Sequence, residues 1–383
     1  MSTLGGRAAV VGIGATEFSK DSGRSELALA AEAVRAALAD AGLAPGDVDG
    51  LVTFTMDTSP EIAVAQATGI GELSFFSRVH YGGGAACATL QQAALAVAAG
   101  VAEVVVCYRA FNERSGRRFG AGVRQREPSA EGVALGWGLP FGLLTPASWA
   151  AMHARRYLHA HGLAPEVLGH VAVTARRHAA VNPAAYFHGR PITLAEHAAS
   201  RWIAEPLRLL DCCQETDGGQ AIVVTGLDRA RALRHPPAVI TAAAQGAGRA
   251  QEQMTGFYRG ELTGLPEMAV VARQLWRDGG LRPSDVDVAI LYDHFTPYVL
   301  MQLEEFGFCA RGEGADLVAA GTLPLNTHGG QLGEAYLHGM NGIAEAVRQL
   351  RGTSVNQVPG AARVLVTAGS GVPTSGVLLG ADG

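Results

Sequence analysis

Lysine is all but missing from this 383-residue chain: Lys20 is the only one, and the other 29 basic residues are arginine. Schiff-base chemistry would therefore depend on one side chain near the N-terminus. Charge is scarce as well, at 17% of residues against 48% hydrophobic, which excludes a disordered chain and a coiled coil. With 35 acidic residues to 30 basic ones the net charge is −5, so no positive excess is available to hold nucleic acid. The five cysteines (Cys87, Cys107, Cys212, Cys213, Cys309) form an odd set without C-x-x-C spacing. They read as the thiols of a reduced cytoplasmic protein with no zinc site.

Long apolar runs are lacking too. The opening MSTLGGRAAVVGIG has no basic stretch leading into an extended apolar one, so no signal peptide is read. The longest uncharged stretch, Gly132 to Met152, is broken by Gly136, Gly138, Pro140, Gly142 and Pro146. A membrane span needs about 20 predominantly apolar residues, so this segment reads as an ordered loop entering a helix near Ser148, and no membrane contact is expected. Two motifs of enzyme chemistry are incomplete. Gly369-Ser370-Gly371 does not fit G-x-S-x-G, and Gly12-Ile13-Gly14 lacks the third glycine of a dinucleotide turn.

What is present is alternation. Ala8 to Ile13, Glu103 to Cys107, Val239 to Ala243, Val286 to Leu291 and Val364 to Thr367 have the β-branched, apolar character of buried strands. Ser25 to Ala41, Ala86 to Ala99, Met268 to Asp278 and Ile343 to Leu350 read as helices, and the mixture predicts a layered α/β fold. The chain also repeats itself. Gly42-Leu-Ala-Pro-Gly-Asp-Val-Asp49 recurs as Gly280-Leu-Arg-Pro-Ser-Asp-Val-Asp287, each copy between a helix and a strand. A glycine pair precedes a helix in each half (Gly83-Gly84, Gly329-Gly330). Two similar halves are expected, residues 1–232 and 233–383, the first enlarged by a loop and helical excursion over about 111–210. That excursion contains Trp137, Trp149 and Trp202 and adjoins an arginine cluster: Arg109, Arg114, Arg117, Arg118, Arg124 and Arg126. The arginines suit phosphate recognition, a subunit contact or a solvated loop.

Among possible nucleophiles, Cys87 follows Gly82-Gly83-Gly84 where a helix begins, and a helix N-terminus lowers a thiol pKa. A small side chain packed on an alanine-rich helix is the stronger reading, because free cysteine is usually buried. Two late segments are richer in chemistry. Leu291-Tyr-Asp-His-Phe-Thr-Pro297 ends a strand with Tyr292 and His294 facing one side and Asp293 the other. Asn326-Thr-His-Gly-Gly-Gln-Leu-Gly-Glu-Ala-Tyr-Leu-His-Gly-Met-Asn-Gly342 sets His328, Tyr336 and His338 among five glycines, a backbone suited to an anion. Two such clusters beside glycine-rich backbone point to a functional site.

The duplicated halves, the turn before Ala86, the D-G-G-Q-A of Asp217 to Ala221 and the two late segments resemble the thiolase superfamily. The likeness spans essentially the whole chain and is strongest to the lipid-transfer-protein branch with its bacterial steroid side-chain-cleaving aldolases. It implies a duplicated, layered α/β/α/β/α fold. The chain departs from the thiolase pattern where that pattern carries its chemistry. Gly83 stands at the position of the nucleophilic cysteine, and Ala368 at that of the second cysteine. Tyr292 and Tyr336 stand in place of the two histidines. The resemblance therefore implies a site shaped for a CoA thioester but without a nucleophile. That site suits retro-aldol cleavage of a 17-hydroxy steroid C20-carboxyl-CoA to a 17-keto steroid and propionyl-CoA.

Tyr292 and Tyr336, assisted by His294 or His338, are the expected catalytic groups, with protonated His294 a possible aid to ionising a phenol. Gly83, Gly84, His328, Gly329 and Gly330 are the expected substrate-binding positions. No metal is expected, and no cofactor other than the CoA that the substrate carries. The resemblance further implies a homodimer within a heterotetramer containing a DUF35 protein, an OB-fold often bearing a zinc ribbon. The competing readings are a thiolase or acyltransferase using Cys87, and a lipid carrier or scaffold without catalysis.

Overall fold

The structure, a computed structural model, describes residues 4–80, 82–116, 118–122, 130–251, 257, 259–369 and 374–382. The first strands are β1 (Ala8–Ala15), β2 (Gly50–Phe54), β3 (Phe75–Val79) and β4 (Val104–Asn112). Two short strands, β5 (Trp202–Ala204) and β6 (Leu207–Arg208), pair only with each other. Then come β7 (Asp217–Gly226), β8 (Ala238–Gly246), β9 (Val288–Ile290), β10 (Arg363–Ala368) and β11 (Thr374–Ala381).

One nine-stranded sheet runs β3-β2-β4-β7-β1-β8-β11-β10-β9. Its centre is the antiparallel β1–β8 pair, with Ala9 beside Val239 and Val10 beside Ala238. Outward from that pair the two arms match. β1–β7 and β7–β4 are antiparallel and β4–β2 parallel; β8–β11 and β11–β10 are antiparallel and β10–β9 parallel. The last place differs. Where the first arm has β3, the second has only Leu325 in a parallel bridge to Ala289. The Asn326 side chain extends that edge, accepting from Leu291 N at 2.7 Å and donating to Leu291 O at 2.9 Å.

Helices α1 (Glu26–Ala41), α2 (Glu61–Thr68) and α3 (Ala86–Ala98) belong to the first arm. Between β4 and β7 lie α4 (Ala130–Gly136), α5 (Pro146–His161), α6 (Gly169–Val181) and α7 (Leu194–Ala199). The rest are α8 (Leu227–Ala230), α9 (Pro266–Gly279), α10 (Thr296–Glu305), α11 (Gly314–Ala320), α12 (Gly330–Gly333) and α13 (Met340–Arg351). Strand side chains alternate between faces, and this sorts the core into layers. Val105, Cys107, Ile222 and Val224 face α3 and α13, as do Val288, Ile290, Val364 and Val366 from the other arm. Their neighbours Val104, Val106, Ala221 and Val223 face α1, while Ala289, Leu291, Leu365 and Leu378 face α9 and α10. The order is thus α/β/α/β/α, with α3 and α13 in the middle.

Each residue type in the repeat does the same work twice. Gly42 and Gly280 end α1 and α9 at φ of 72° and 63°, a left-handed conformation that glycine adopts without strain. Asp47 and Asp285 accept the amides of Ala44 and Arg282, both at 2.8 Å. Asp49 accepts Val104 N at 2.9 Å and Asp287 accepts Arg363 N at 2.8 Å, each tying the turn to the start of a neighbouring strand.

Besides the short β5 and β6, the structure adds four strands to the main sheet that the sequence reading passes over: β2, β3, β7 and β11. The strand expected from Val286 to Leu291 is confined to Val288–Ile290. The Gly132 to Met152 segment is not purely a loop. It contains most of α4, and α5 starts at Pro146 behind a Thr145–Ser148 capping box. Gly12 and Gly14 prove to be packing positions, where any Cβ would overlap the α1 backbone at Ala37. Gly14→Val should therefore destabilise the chain by about 3 kcal/mol or more in a denaturant titration. Gly46→Ala, where the added carbon meets nothing within 4 Å, should leave the midpoint nearly unmoved.

Candidate active site

Three chain turns meet at the carboxyl ends of strands: Gly82–Gly84 after β3, Tyr292 after β9 and Gly369 after β10. In open α/β sheets this is where ligands bind. Ala85 N donates to Gly82 O at 2.9 Å, closing the first turn just before α3. A Cβ on Gly83 would overlap the hydroxyl oxygen of Tyr292, and one on Gly369, whose φ is 80°, would overlap Gly84. The space that a side chain at residue 83 would occupy is filled from the opposite arm by a phenol.

Tyr292 is held at its backbone. Its amide donates to Thr367 Oγ1 at 3.0 Å, and its carbonyl accepts from Gln302 Nε2 of α10 at 2.8 Å. Thr367 Oγ1 in turn donates to Gln302 Oε1 at 2.5 Å. The Tyr292 hydroxyl donates to that of Tyr336 at 3.1 Å, and the Tyr336 amide is anchored on Thr216 Oγ1 at 2.8 Å. Burial raises both phenols well above their usual value. At neutral pH the pair is un-ionised.

His294 and His338 flank the pair, with ring centroids 4.7 Å from Tyr292 and 4.8 Å from Tyr336 respectively. Strand β9 stops before Tyr292, yet the alternation predicted for this segment persists. Tyr292 and His294 lie together, while Asp293 turns away to accept Gln331 N at 2.7 Å. Burial lowers His294 to about 3, so the expectation that a protonated His294 helps a tyrosine ionise fails: the ring is neutral. Burial first, and the Arg109 guanidinium second, also hold His338 well below its usual value.

Gly84 stays at the site, packed on Gly369, and its carbonyl accepts the hydroxyl of Ser375 at 2.5 Å; the remaining expected residues fall elsewhere. His328 is buried, its carbonyl accepting from Asn182 at 2.9 Å. Gly329 lies against Ala179 of α6 and Gly330 against the Asp293 carboxylate. The arginines do not form one patch. Arg109 is fully buried and paired with Asp57, Arg118 pairs with Glu215 at 2.6 Å, and Arg117, Arg124 and Arg126 lie outside the described residues. Ser370 and Gly371 also lie outside them.

Cys87 is completely buried with its Sγ 3.6 Å from Val366 O, and burial pushes its thiol far up, opposite to what a nucleophile needs. Among the described residues no cluster of three or more His, Cys, Asp or Glu could hold a metal ion. No helix among them is long and apolar enough to cross a membrane. Two residues that the sequence reading misses belong to this neighbourhood. Arg109, grouped in the sequence with the arginines that follow it, lies inside β4. Glu113, just past β4, is a buried carboxyl pushed up from its usual value by burial and then by Glu215.

A phenol pair set over a bare glycine turn in a duplicated α/β/α/β/α frame defines a thiolase-like protein with no side chain at residue 83. Residues 248–379 match the family model described as thiolase C-terminal domain-like. The chain is 67% identical over its full length, and that of the relative, to a "steroid side-chain-cleaving aldolase" of Thermomonospora curvata. It is 65% identical, over 98% of this chain and all of the relative, to the "17-hydroxy-3-oxo-4-pregnene-20-carboxyl-CoA lyase" of Mycobacterium tuberculosis. The solved "Ltp2-ChsH2(DUF35) aldolase" superposes with a TM-score of 0.96 at 66% identity, covering 100% of this chain and 99% of that one. The chain belongs to the steroid side-chain-cleaving aldolases of the thiolase superfamily.

Two measurements check this geometry. Gly83→Ala forces a carbon onto the Tyr292 hydroxyl and should cost about 1–3 kcal/mol of stability, part of which Gly83→Ala/Tyr292→Phe regains. The neutral His294 also predicts acid sensitivity. The unfolded chain takes up a proton near the usual histidine value, while the folded site resists until about 3, so acid favours unfolding between those limits. Replacing His294 with asparagine should flatten the stability–pH curve there by up to about 1.4 kcal/mol per pH unit.

Proposed function

We propose that this chain is a retro-aldolase that cleaves a 17-hydroxy steroid C20-carboxyl-CoA thioester to a 17-keto steroid and propionyl-CoA. The observation that carries this reading is the Tyr292–Tyr336 hydroxyl pair, 3.1 Å apart and standing over Gly83 where no nucleophile can fit. Relatives named for that reaction at 65–67% identity support the substrate class. No covalent intermediate is needed. The C17 hydroxyl gives up its proton as the C17–C20 bond breaks and C17 becomes a carbonyl. The bond's electron pair passes into the thioester as an enolate, and a proton reaches the α-carbon.

An isolated phenol lies about 4 kcal/mol from acting as an ionised base at pH 7, and burial widens that gap. A neutral relay avoids it. One hydroxyl takes the substrate proton while handing its own to its partner, and the partner's proton goes to the enolate carbon. CoA enters as part of the substrate.

A second reading has a specific observation behind it. Lys20 is lowered to about 8, chiefly by burial and then by Arg114, as a Schiff-base lysine would be. Its Nζ is already engaged with Gln214 Oε1 at 3.1 Å and Glu215 O at 2.5 Å, which favours a structural role. Partners follow the same reasoning. The solved relative is a complex with a DUF35 component, and strand β3 ends the sheet with Phe76 62% exposed, an edge that suits pairing with a second copy. A homodimer carrying a DUF35 protein is the assembly we infer, to be checked by co-purification and sedimentation.

Propionyl-CoA release from 17-hydroxy-3-oxo-4-pregnene-20-carboxyl-CoA tests the whole reading, with the DUF35 partner present. Tyr292→Phe and Tyr336→Phe should each lower kcat by about 10²–10⁴-fold. No release by the wild-type complex would remove this substrate. Lys20→Gln should keep its turnover, and borohydride with substrate should trap no adduct; inactivation or trapping would instead establish the lysine route.

A further inference from the structure

Arg109 reaches from the interior of β4 into the site without touching solvent. Its Nη1 lies 2.5 Å from Asp57 Oδ1, and the other Asp57 oxygen accepts Thr53 Oγ1 at 2.6 Å. The rest of the fork faces one atom, with Nε and Nη2 at 3.2 and 3.1 Å from His338 Nδ1. The rings of Phe54 and Phe111 lie over the guanidinium, centroids 5.4 and 4.4 Å from Cζ. Phe119 stands edge-on to His338 at 5.7 Å. Water has little access to this contact.

A guanidinium can only donate. The nitrogen it faces must therefore be bare, because a proton there would set donor against donor and cation against cation inside a dry pocket. The imidazole proton is left on Nε2. That atom makes no hydrogen bond among the described residues and points at Gly82, where a built Cβ would stand 3.1 Å away. The next residue, Gly83, is the one beneath the Tyr292 hydroxyl. His338 is also held at φ 53°, a left-handed conformation uncommon outside glycine.

We propose that Arg109 is a positioning residue that fixes His338 with its proton on Nε2, so that His338 serves as hydrogen-bond donor to the thioester oxygen and not as a base. The identity of that oxygen rests on the retro-aldol reading; the tautomer does not. As the C17–C20 bond breaks and its electron pair moves into the thioester, negative charge grows on the oxygen, and a preset donor stabilises it most there. His338 keeps its proton throughout. The hydroxyl proton and the proton delivered to carbon both travel through the tyrosines.

The test uses the complex with its DUF35 partner, labelled with ¹⁵N-histidine, and identifies His338 among the 12 histidines by the resonances lost in His338→Gln. The expected spectrum has a bare Nδ1 and a protonated Nε2. A proton on Nδ1, on both nitrogens or in exchange between them overturns the proposal. Arg109→Lys keeps the charge beside Asp57 but loses the fork, and should produce mixed tautomers. If it folds and retains the single tautomer, Arg109 has no positioning role.

Activity supplies the second arm. His338→Ala should lose about 10²–10³-fold in kcat, and His338→Gln, whose amide donates but cannot serve as a base, should regain about 10-fold with KM little changed. Glutamine no better than alanine, in a variant that melts like wild type, overturns the donor role. A wild-type complex that fails to turn over the steroid thioester but shows the expected spectrum sinks the retro-aldol reading and leaves the Arg109 assignment standing.

Discussion

The contact between the Tyr292 hydroxyl and the bare backbone of Gly83 is the constraint on which the rest of the site depends. No side chain fits at residue 83 while Tyr292 keeps its place, and that place is fixed by Thr367 and Gln302 through hydrogen bonds to its backbone rather than its ring. The phenol is thus set by β10 and α10, and the glycine by the turn after β3. A side chain at residue 83 and the Tyr292 phenol cannot occupy the same volume, so the one excludes the other.

Burial then decides what that phenol can do. In a low-dielectric pocket every ionisation becomes harder, and the directions agree: both tyrosines move up, His294 and His338 move down, and Glu113 moves up. The two phenols and the two imidazoles are neutral at pH 7. A reaction that needed a free thiolate or phenolate would have to overcome this environment. A reaction that returns its proton to the same molecule it came from does not. Arg109 does not break the pattern, because Asp57 neutralises it at 2.5 Å, and its effect on the site is directional more than electrostatic.

Much of this was legible in the chain itself. The repeat could be read because its glycine, proline and aspartates each have a local task, repeated at the same spacing. Tyr292 with His294 could be read because residues two apart in an extended segment share a face, and Tyr336 with His338 because both stand in one glycine-rich loop. Strands β7 and β11 were missed because their glycines, needed where helices press close, dilute the apolar signal. Arg109 was misread for the opposite reason. Nearby arginines made it look like part of a basic loop, and its partner Asp57 is 52 positions away, beyond any local pattern.

The duplication also explains why only one of the two glycine turns carries chemistry. Both follow the outermost position of their arm, β3 in one case and the Leu325 bridge in the other, and both precede a helix. In the second arm the turn is closed: Gly329 is pressed on Ala179 and Gly330 on Asp293, whose carboxylate takes the Gln331 amide. The Asp293 carboxyl sits near 6 because burial opposes that amide bond, so an aspartate occupies the place that an external anion would take. In the first arm no carboxylate among the described residues is seated against Gly82 or Gly83. Its neighbours are the Nε2 of His338 beside Gly82 and the hydroxyl of Tyr292 over Gly83, two groups able to donate hydrogen bonds to an incoming oxygen. The same backbone device is therefore spent on holding the fold together in one half and left for substrate in the other. The choice between them is made by single side chains from the opposite arm.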